Sequence, residues 1–509
     1  MNLSQKVAFN TTVLLASRVV VAASGLIGVA VSTRYLGPAD FGQLTIAIVL
    51  VSVFGFFTDA GLYTVAAREI AKRPDEERDI LSNVFTMGLV ASLVAVVLAL
   101  LVTVAAYGGP GNDLVRVGVV ILGVQMLASA VGGAASAHLV AHQRAGPTAI
   151  AAVASSLVFV VLLVVTIERD LGFAGLAACF AASGLISLLL PVVALRGVRL
   201  GLARDMQLWR QMLAWAVPQA GVLVLGVIYF RLDTFLLSFL SSDAEVGRYG
   251  VAYRVVEVLI VVPLYLMSTL FPEIARQRPH SARLNEIVQG AFSSAALAAV
   301  PLVIVFGVFA EEVVGVAGGP AYISAAPVLR YLALAVALLF LNTVFFQALV
   351  ALNRQGNLFV ILLAVLVANI VLNLLLIPAL GAVGAAISLV VSEAAALVSC
   401  LRLFREVGAV PGLRRPLRLL LAVAVTTAVV VALRELLPLH RPDAGLGTSF
   451  TAAVEPLGTL IGASILTLGL WAGTLTLLDA VPGELRAALA ALRQRSSNEP
   501  VAVPPPVGG

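Results

Sequence analysis

Two stretches of the chain, LVAHQRAGP at 139–147 and LVALNRQGN at 349–357, carry one pattern: L-V-A, then Gln or Asn beside Arg, then Gly. Three further echoes run in the same order. YLGPADFGQL (35–44) returns as FLSSDAEVGRY (239–249), which brings Gly42 onto Gly247. Glu69-Ile70-Ala71 returns as Glu273-Ile274-Ala275, and LGFAGLA (171–177) as LGAVGAA (380–386). Similar turns can arise from similar constraints, but four matches at nearly constant spacing argue that the first part of the chain is duplicated in the second.

What lies between the echoes is apolar. Of 509 residues, 61% are hydrophobic and 12% charged, and the mean hydropathy is +1.05. A soluble domain carries about 25% charged residues. Runs of about 20 apolar residues are long enough to cross a bilayer as helices. The chain is therefore read as an all-α polytopic membrane protein of fourteen helices. They fall near 10–33, 42–66, 82–107, 114–138, 147–167, 172–195, 213–239, 245–271, 288–309, 323–350, 357–377, 381–402, 417–438 and 456–479. Lys6 before an apolar run resembles a signal peptide, but Arg18 interrupts the run, which continues to Val31; the expectation is an uncleaved first helix.

The duplication then places helices one to six in 1–205 and their copy in 206–410. Two added helices follow in 411–482, and 483–509 holds an amphipathic segment, ELRAALAALRQR at 484–495, with a Pro-rich tail. Six is even, so both copies enter the membrane in the same sense. Such parallel repeats are related by an axis along the membrane normal, with a cavity between two bundles that can rock.

Arg and Lys set the orientation. With the N-terminus inside, cytoplasmic segments hold 22 of the 32 basic residues, outside segments six and helices four. Both termini are expected in the cytoplasm. The charge of +5 follows from this loop placement and needs no nucleic-acid partner. Cys179 and Cys400 lie in apolar runs, and HExxH, CxxC and P-loop patterns are absent from the sequence, so neither a disulfide, a metal site nor a cofactor is expected.

The four basic residues within helices are Arg18, Arg231, Arg254 and Arg330. An ionisable side chain at mid-bilayer costs about 2.5–3.5 kcal/mol on insertion scales and usually faces a cavity or a partner. Arg18 and Arg330 could instead snorkel to an interface. Arg231 and Asp233, two apart, point to different faces, so each needs a partner elsewhere. Arg254 and Glu257, three apart, can pair on one face. Glu257 and Glu393 lie too deep for a short carboxylate to reach water; with Asp233 and Asp59 they are the ion-coupling candidates, for protons or sodium. Asp59 could equally be interfacial. The duplicate positions of Glu257 and Glu393 are Ser52 and Gly184, so these acids belong to one copy alone. Gln125, Asn342, Gln347, Asn369 and Asn373 add hydrogen-bonding capacity, most simply between helices, and Pro218 and Pro263 are expected to kink helices seven and eight. Guanidinium forks suit a phosphate or pyrophosphate ligand.

RYLGPADFGQLTIAIVLVSVFGFFTDAGLYTVAAREIA (34–71) and YFRLDTFLLSFLSSDAEVGRYGVAYRVVE (229–257) resemble the bacterial polysaccharide biosynthesis flippases of the Wzx type. These belong to the multidrug/oligosaccharidyl-lipid/polysaccharide exporter superfamily. The resemblance implies two six-helix bundles in a V, in the bacterial cytoplasmic membrane. It implies a non-enzymatic transporter that flips an undecaprenyl-pyrophosphate-linked oligosaccharide from the inner to the outer leaflet by alternating access. The implied partners are that substrate, membrane lipids, and the polymerase and glycosyltransferases of the same pathway. Arginines within the central cavity are implicated across such flippases, which fits Arg18, Arg231, Arg254 and Arg330 by location. The two added helices keep a lipid II flippase open as an alternative, and a multidrug exporter of the same superfamily is the other. An integral membrane polymerase or glycosyltransferase would need a long catalytic loop, and the longest loop read from the sequence, near 439–455, is too short for one.

Overall fold

The computed structural model describes residues 3–59, 61–144, 146–195, 200–408, 416–436 and 451–478, with only the backbone given in a few helical stretches. Among the described residues the chain is helical throughout, without strands. Eleven helical segments are long and apolar enough to cross a membrane, the first of them, Val20–Lys72, being 53 residues long.

That first segment holds the first two expected helices. Within α1 (Leu3–Asp59) they meet at a kink at Gly37, with φ 74 and ψ 175, followed by Pro38. This backbone region is open essentially to glycine alone, so one residue replaces the loop. Gly61 (φ 81) makes a second break before α2 (Leu62–Lys72). Then come α3 (Glu77–Tyr107), α4 (Asp113–Ala141), α5 (Gly146–Glu168) and α6 (Gly172–Leu189), the last extended by a 3-10 turn, Leu190–Ala194.

The remaining helices are α7 (Met206–Leu240), α8 (Asp243–Glu257), α9 (Val261–Ala275), α10 (Ala282–Val308), α11 (Ala310–Gly318), α12 (Ala326–Ala351), α13 (Gln355–Leu380), α14 (Ala382–Val407), α15 (Pro416–Leu436) and α16 (Thr451–Leu477). The expected eighth helix is split into α8 and α9 by a 3-10 turn at Val258–Ile260, ahead of Pro263. The short α11 occupies what reads in sequence as a loop. The side chain of Pro218 and the segment 484–495 lie outside the described residues.

Local signals explain several starts. Asp205 accepts hydrogen bonds from the amides of Gln207 and Leu208 at the head of α7, and Ser281 from Leu284 at the head of α10, satisfying donors that a helix N-terminus leaves unpaired. Glu245 of α8 accepts from the Ala382 amide (2.9 Å) and caps α14 from a distance.

The echoed stretches have the same geometry. Gln143 (φ 54) and Asn353 (φ 56) both take the left-handed conformation. The Arg144 amide donates to the Leu139 carbonyl and the Arg354 amide to the Leu349 carbonyl, each at 2.8 Å. Gly172 (φ 63) and Gly381 (φ 56) repeat in the same way. Neighbour relations also recur: α3 packs on α4 as α10 on α12, α4 on α6 as α12 on α14, and α5 on α6 as α13 on α14.

The surface is apolar where a soluble protein would be charged. Leu93, Val97, Leu101 and Val104 of α3 are exposed in a row, as are Val360, Leu363, Val367, Val371 and Leu374 of α13. Spacings of three and four put each set on one helix face. Bare faces of this kind, on segments long enough to span, mark a multi-pass membrane protein.

The helices alternate between two ends, named here for Gly37 and Arg73. Contacts between α1–α6 and α7–α14 gather at the Gly37 end. There α1 packs closely on α8: a Cβ on Gly42 would overlap the Asp243 carbonyl oxygen, and one on Gly247 the Pro38 carbonyl oxygen. Gln43 donates to Asp243 (2.8 Å), and Tyr107 and Ser238 share a hydrogen bond of 2.6 Å. Toward the Arg73 end, α7 is gripped by the first set of helices. Trp209 Nε1 donates to Asn83 (3.0 Å), and Met212 and Ala216 are buried against α2 and its neighbours.

Candidate functional site

Helix α7 carries Tyr229, Arg231 and Asp233. Residues four apart share a face and residues two apart do not. Tyr229 and Asp233 accordingly turn toward α14 and α13, and Arg231 turns toward Tyr253 and Glu257 of α8.

On the inner face lie two buried acids. Glu393 of α14 accepts from Tyr229 (2.8 Å) and from Asn342 of α12 (2.7 Å). Asn342 also donates to the Glu393 backbone carbonyl (2.9 Å). Asp233 accepts from Tyr249 of α8 (3.0 Å) and from Asn373 of α13 (2.7 Å), which also bonds Asn369 one turn away. Asp233 and Glu393 are 2% and 3% exposed, and neither forms an ion pair with Arg or Lys among the described residues. Four polar atoms nearby are buried without a hydrogen-bond partner: Asn342 Oδ1, Asn369 Nδ2, Asn373 Oδ1 and Ser392 Oγ. Buried polar atoms are nearly always satisfied, so this neighbourhood has unused capacity, two of it carbonyl oxygens beside carboxylates. The donor set is oxygen-rich, of the kind that suits a proton or a hard cation.

On the other face lies a cationic cluster. Arg231 and Arg254 each donate to one oxygen of Glu257, both at 3.0 Å. Arg231 also lies over the Tyr253 ring, 5.9 Å from its centre. Tyr253 stacks on Tyr249, which reaches Asp233, so a chain of touching side chains joins the arginine cluster to a buried acid. The three charged groups are part-exposed. Two cations and one anion leave a net positive charge with guanidinium donors to spare.

The structure thus sorts the residues expected from sequence. Arg231, Arg254 and Glu257 come together; the i,i+3 pairing of Arg254 with Glu257 is present, and Arg231 completes it from another helix. Glu257, engaged by two guanidiniums, has its oxygens committed. Asp233 and Glu393 share the inner face with the asparagines. Asp59 stands apart at the end of α1, where it accepts from the Tyr63 amide (3.4 Å) at the first turn of α2. Arg330 lies at the Gly37 end, donating to Glu311 of α11 (3.1 Å) and the Gly307 carbonyl (3.2 Å). Arg434 of α15 binds Glu312 there (2.8 Å), and Arg34 caps the C-terminal carbonyls of α11 at Gly315 and Val316. The side chain of Arg18 lies outside the described residues. Sequence reading missed Tyr229, Tyr249 and Tyr253, whose spacing on apolar helices resembles ordinary core.

A family model for polysaccharide biosynthesis proteins matches residues 7–278. The "Probable low-salt glycan biosynthesis flippase Agl15" of Haloferax volcanii is 26% identical over 171 residues, 33% of this chain and 36% of that protein. The "Probable flippase AglR" of the same organism is 29% identical over 168 residues, 32% of this chain and 35% of that one. The alignments therefore span about a third of these relatives. Among solved structures, the lipid II flippase MurJ in an inward closed conformation superimposes with TM-score 0.69 at 13% identity, covering 91% of this chain and 98% of that one. An inward-facing multidrug resistance MATE family transporter of the MOP superfamily gives 0.62 at 16% identity, covering 78% and 98%. At such identities the likeness is one of fold. The family match covers more than half of the 509 residues, and the chain belongs to the polysaccharide biosynthesis protein family, with the membrane fold that MurJ and the MATE transporters share.

Proposed function

We propose that this chain flips a lipid-linked oligosaccharide, carried on undecaprenyl pyrophosphate, from the inner to the outer leaflet of the bacterial cytoplasmic membrane. The observation that carries this reading is the meeting of Arg231 and Arg254 on Glu257 within the membrane passes. A pyrophosphate can take over the guanidinium forks now shared by one carboxylate, with bidentate geometry that a sugar hydroxyl cannot match. The glycan flippases among the relatives support the same class of substrate.

In this reading 1–205 and 206–410 are two copies of one six-helix bundle, arranged as a V, with fourteen passes in all. The reciprocal fit of Gly42 and Gly247 supports the pseudo-two-fold relation, as each glycine faces the other copy's backbone one turn before the partner glycine. The Gly37 end is periplasmic and the Arg73 end, with both termini, cytoplasmic. Contacts between the bundles near Gly37 then correspond to a state closed to the outside. The head group enters from the cytoplasm, meets Arg18 and the Arg231–Arg254 pair, and passes Arg330 on leaving, while the prenyl chain stays in lipid. Asp233 and Glu393 take up a proton or sodium ion and bias the two states. Glu257 and Asp59 serve as a counter-charge and a helix cap.

The test is the fate of the substrate on depletion and replacement. Arg231→Ala and Arg254→Ala chains that reach the membrane should fail to relieve accumulation of lipid-linked saccharide on the inner leaflet. Normal outward delivery by both would reject the arginine site. Lipid II is the second reading, favoured by the extension of the MurJ likeness over 91% of the chain. Accumulation of lipid II, with the surface glycan precursor unchanged, would select it.

A further inference from the structure

Away from the arginine cluster, at the Arg73 end, three side chains converge that transport leaves without a task. His138 and His142 lie four residues apart at the end of α4, so both rings fall on one face. Glu77, the first residue of α3, reaches between them. His138 Nδ1 lies 2.6 Å from Glu77 Oε1, and His142 Nε2 lies 3.1 and 3.2 Å from the two carboxylate oxygens. The two rings are 4.6 Å apart, and one ligand atom from each residue fits within a mutual 4.8 Å. His138 is buried, Glu77 half-buried and His142 exposed.

We propose that Glu77, His138 and His142 form a binding site for a divalent cation of the zinc class, clamping α3 to α4. Two imidazole nitrogens and one carboxylate are the donor types of a three-residue zinc site, which leaves a fourth position for water. Imidazoles select borderline metals such as Zn²⁺, Co²⁺ and Ni²⁺ over Mg²⁺ and Ca²⁺, which prefer oxygen alone. Ligands about 2.0–2.1 Å from a tetrahedral ion lie about 3.4 Å from one another, so closure from the present spacing needs side-chain rotation rather than movement of either helix. The exposed His142 is free to make it.

The turn itself does not require these histidines. It occurs twice, and the second copy carries Ala348 and Leu352 at the matching places. The same backbone geometry forms there with an aliphatic pair. The imidazoles are an addition to one copy, beside a carboxylate from a different helix, and two of the chain's four histidines are used for it.

The experiment titrates Zn²⁺, and Co²⁺ as a spectroscopic probe, into the full chain in detergent after removal of any affinity-tag histidines. One equivalent should bind and raise the thermal unfolding midpoint. Bound Co²⁺ should show the intense visible bands of a four-coordinate site. His142→Ala and Glu77→Gln should each weaken binding at least roughly tenfold, more than loss of a supporting residue typically does, with Mg²⁺ giving no response. His142 is exposed, so its variant should keep the metal-free midpoint and serve as the fold control. Absence of saturable Zn²⁺ binding to the unmodified chain, or unchanged binding in both variants, would overturn the site and leave a plain hydrogen-bonded cluster. Because neither variant touches Arg231 or Arg254, metal binding and glycan transport can fail independently.

Discussion

Gly42 and Gly247 face each other's helices reciprocally: the space a Cβ would need is taken by the Asp243 carbonyl at one and the Pro38 carbonyl at the other. Small residues at such crossings let membrane helices approach closely. Gly42→Leu or Gly247→Leu should push α1 and α8 apart. Overpacking of this kind costs about 1–3 kcal/mol, which in the proposed alternating access would change the balance between closed and open Gly37 ends about tenfold. Cysteines at Tyr107 and Ser238, whose side chains touch, should cross-link less readily in either leucine variant.

Glu257 divides two guanidiniums between its oxygens. Glu257→Gln should leave Arg231 and Arg254 in place with one more unit of net positive charge. Affinity for a soluble pyrophosphate analogue should rise by a factor of about ten, on the scale of one charge-assisted hydrogen bond, while transport slows because release becomes limiting. Weaker analogue binding would show that Glu257 orients the arginines rather than competing for them.

Asp233 and Glu393 have matched settings, each with one tyrosine and one asparagine donor. Asp233→Asn and Glu393→Gln preserve shape and remove the titrating group. Under the proposed ion coupling, transport by these variants should lose its dependence on a proton or sodium gradient while the fold persists. Asn342→Ala should instead destabilise by about 1–3 kcal/mol, since it strips a donor from a buried carboxylate; thermal unfolding in detergent distinguishes the two effects.

Gln143 and Asn353 hold the left-handed conformation at the two copies of the turn. Asn tolerates this region and Gln less so. Gln143→Gly should therefore stabilise by up to about 1 kcal/mol, and Asn353→Gly by less. Equal gains, read from unfolding midpoints, would refute this account of the turn.

Arg434 binds Glu312, whose carboxylate is buried under α15. Arg434→Ala should leave that charge without its partner and detach α15 from α11, costing about 3–5 kcal/mol if Glu312 stays dry. Glu312→Gln combined with it should recover part of the loss.

Much of the architecture is legible in the sequence because membrane passes are long, apolar and punctuated by charge. What escapes is set by single residues with tertiary causes. Gly37 looks like a loop glycine, and only its backbone angles show that it replaces the loop. The pairing of Arg254 with Glu257 follows from spacing on one helix, but the arrival of Arg231 depends on how α7 lies against α8. Asn342, Asn369 and Asn373 read as separate hydrogen-bonding residues; packing collects them around Asp233 and Glu393. His138 and His142 carry a helical spacing, yet their partner Glu77 comes from the far end of another pass, and no local pattern announces it.

The two grips on α7 have a mechanical consequence. Trp209 and Met212 anchor one stretch to α2 and α3, while Tyr229 and Asp233 anchor another to α14 and α13. Under the proposed rocking of two bundles, a rod clamped by both must bend or slip in the span between its clamps. In that proposal the stiffness of the span would set how far the bundles swing, giving α7 the part of a spring.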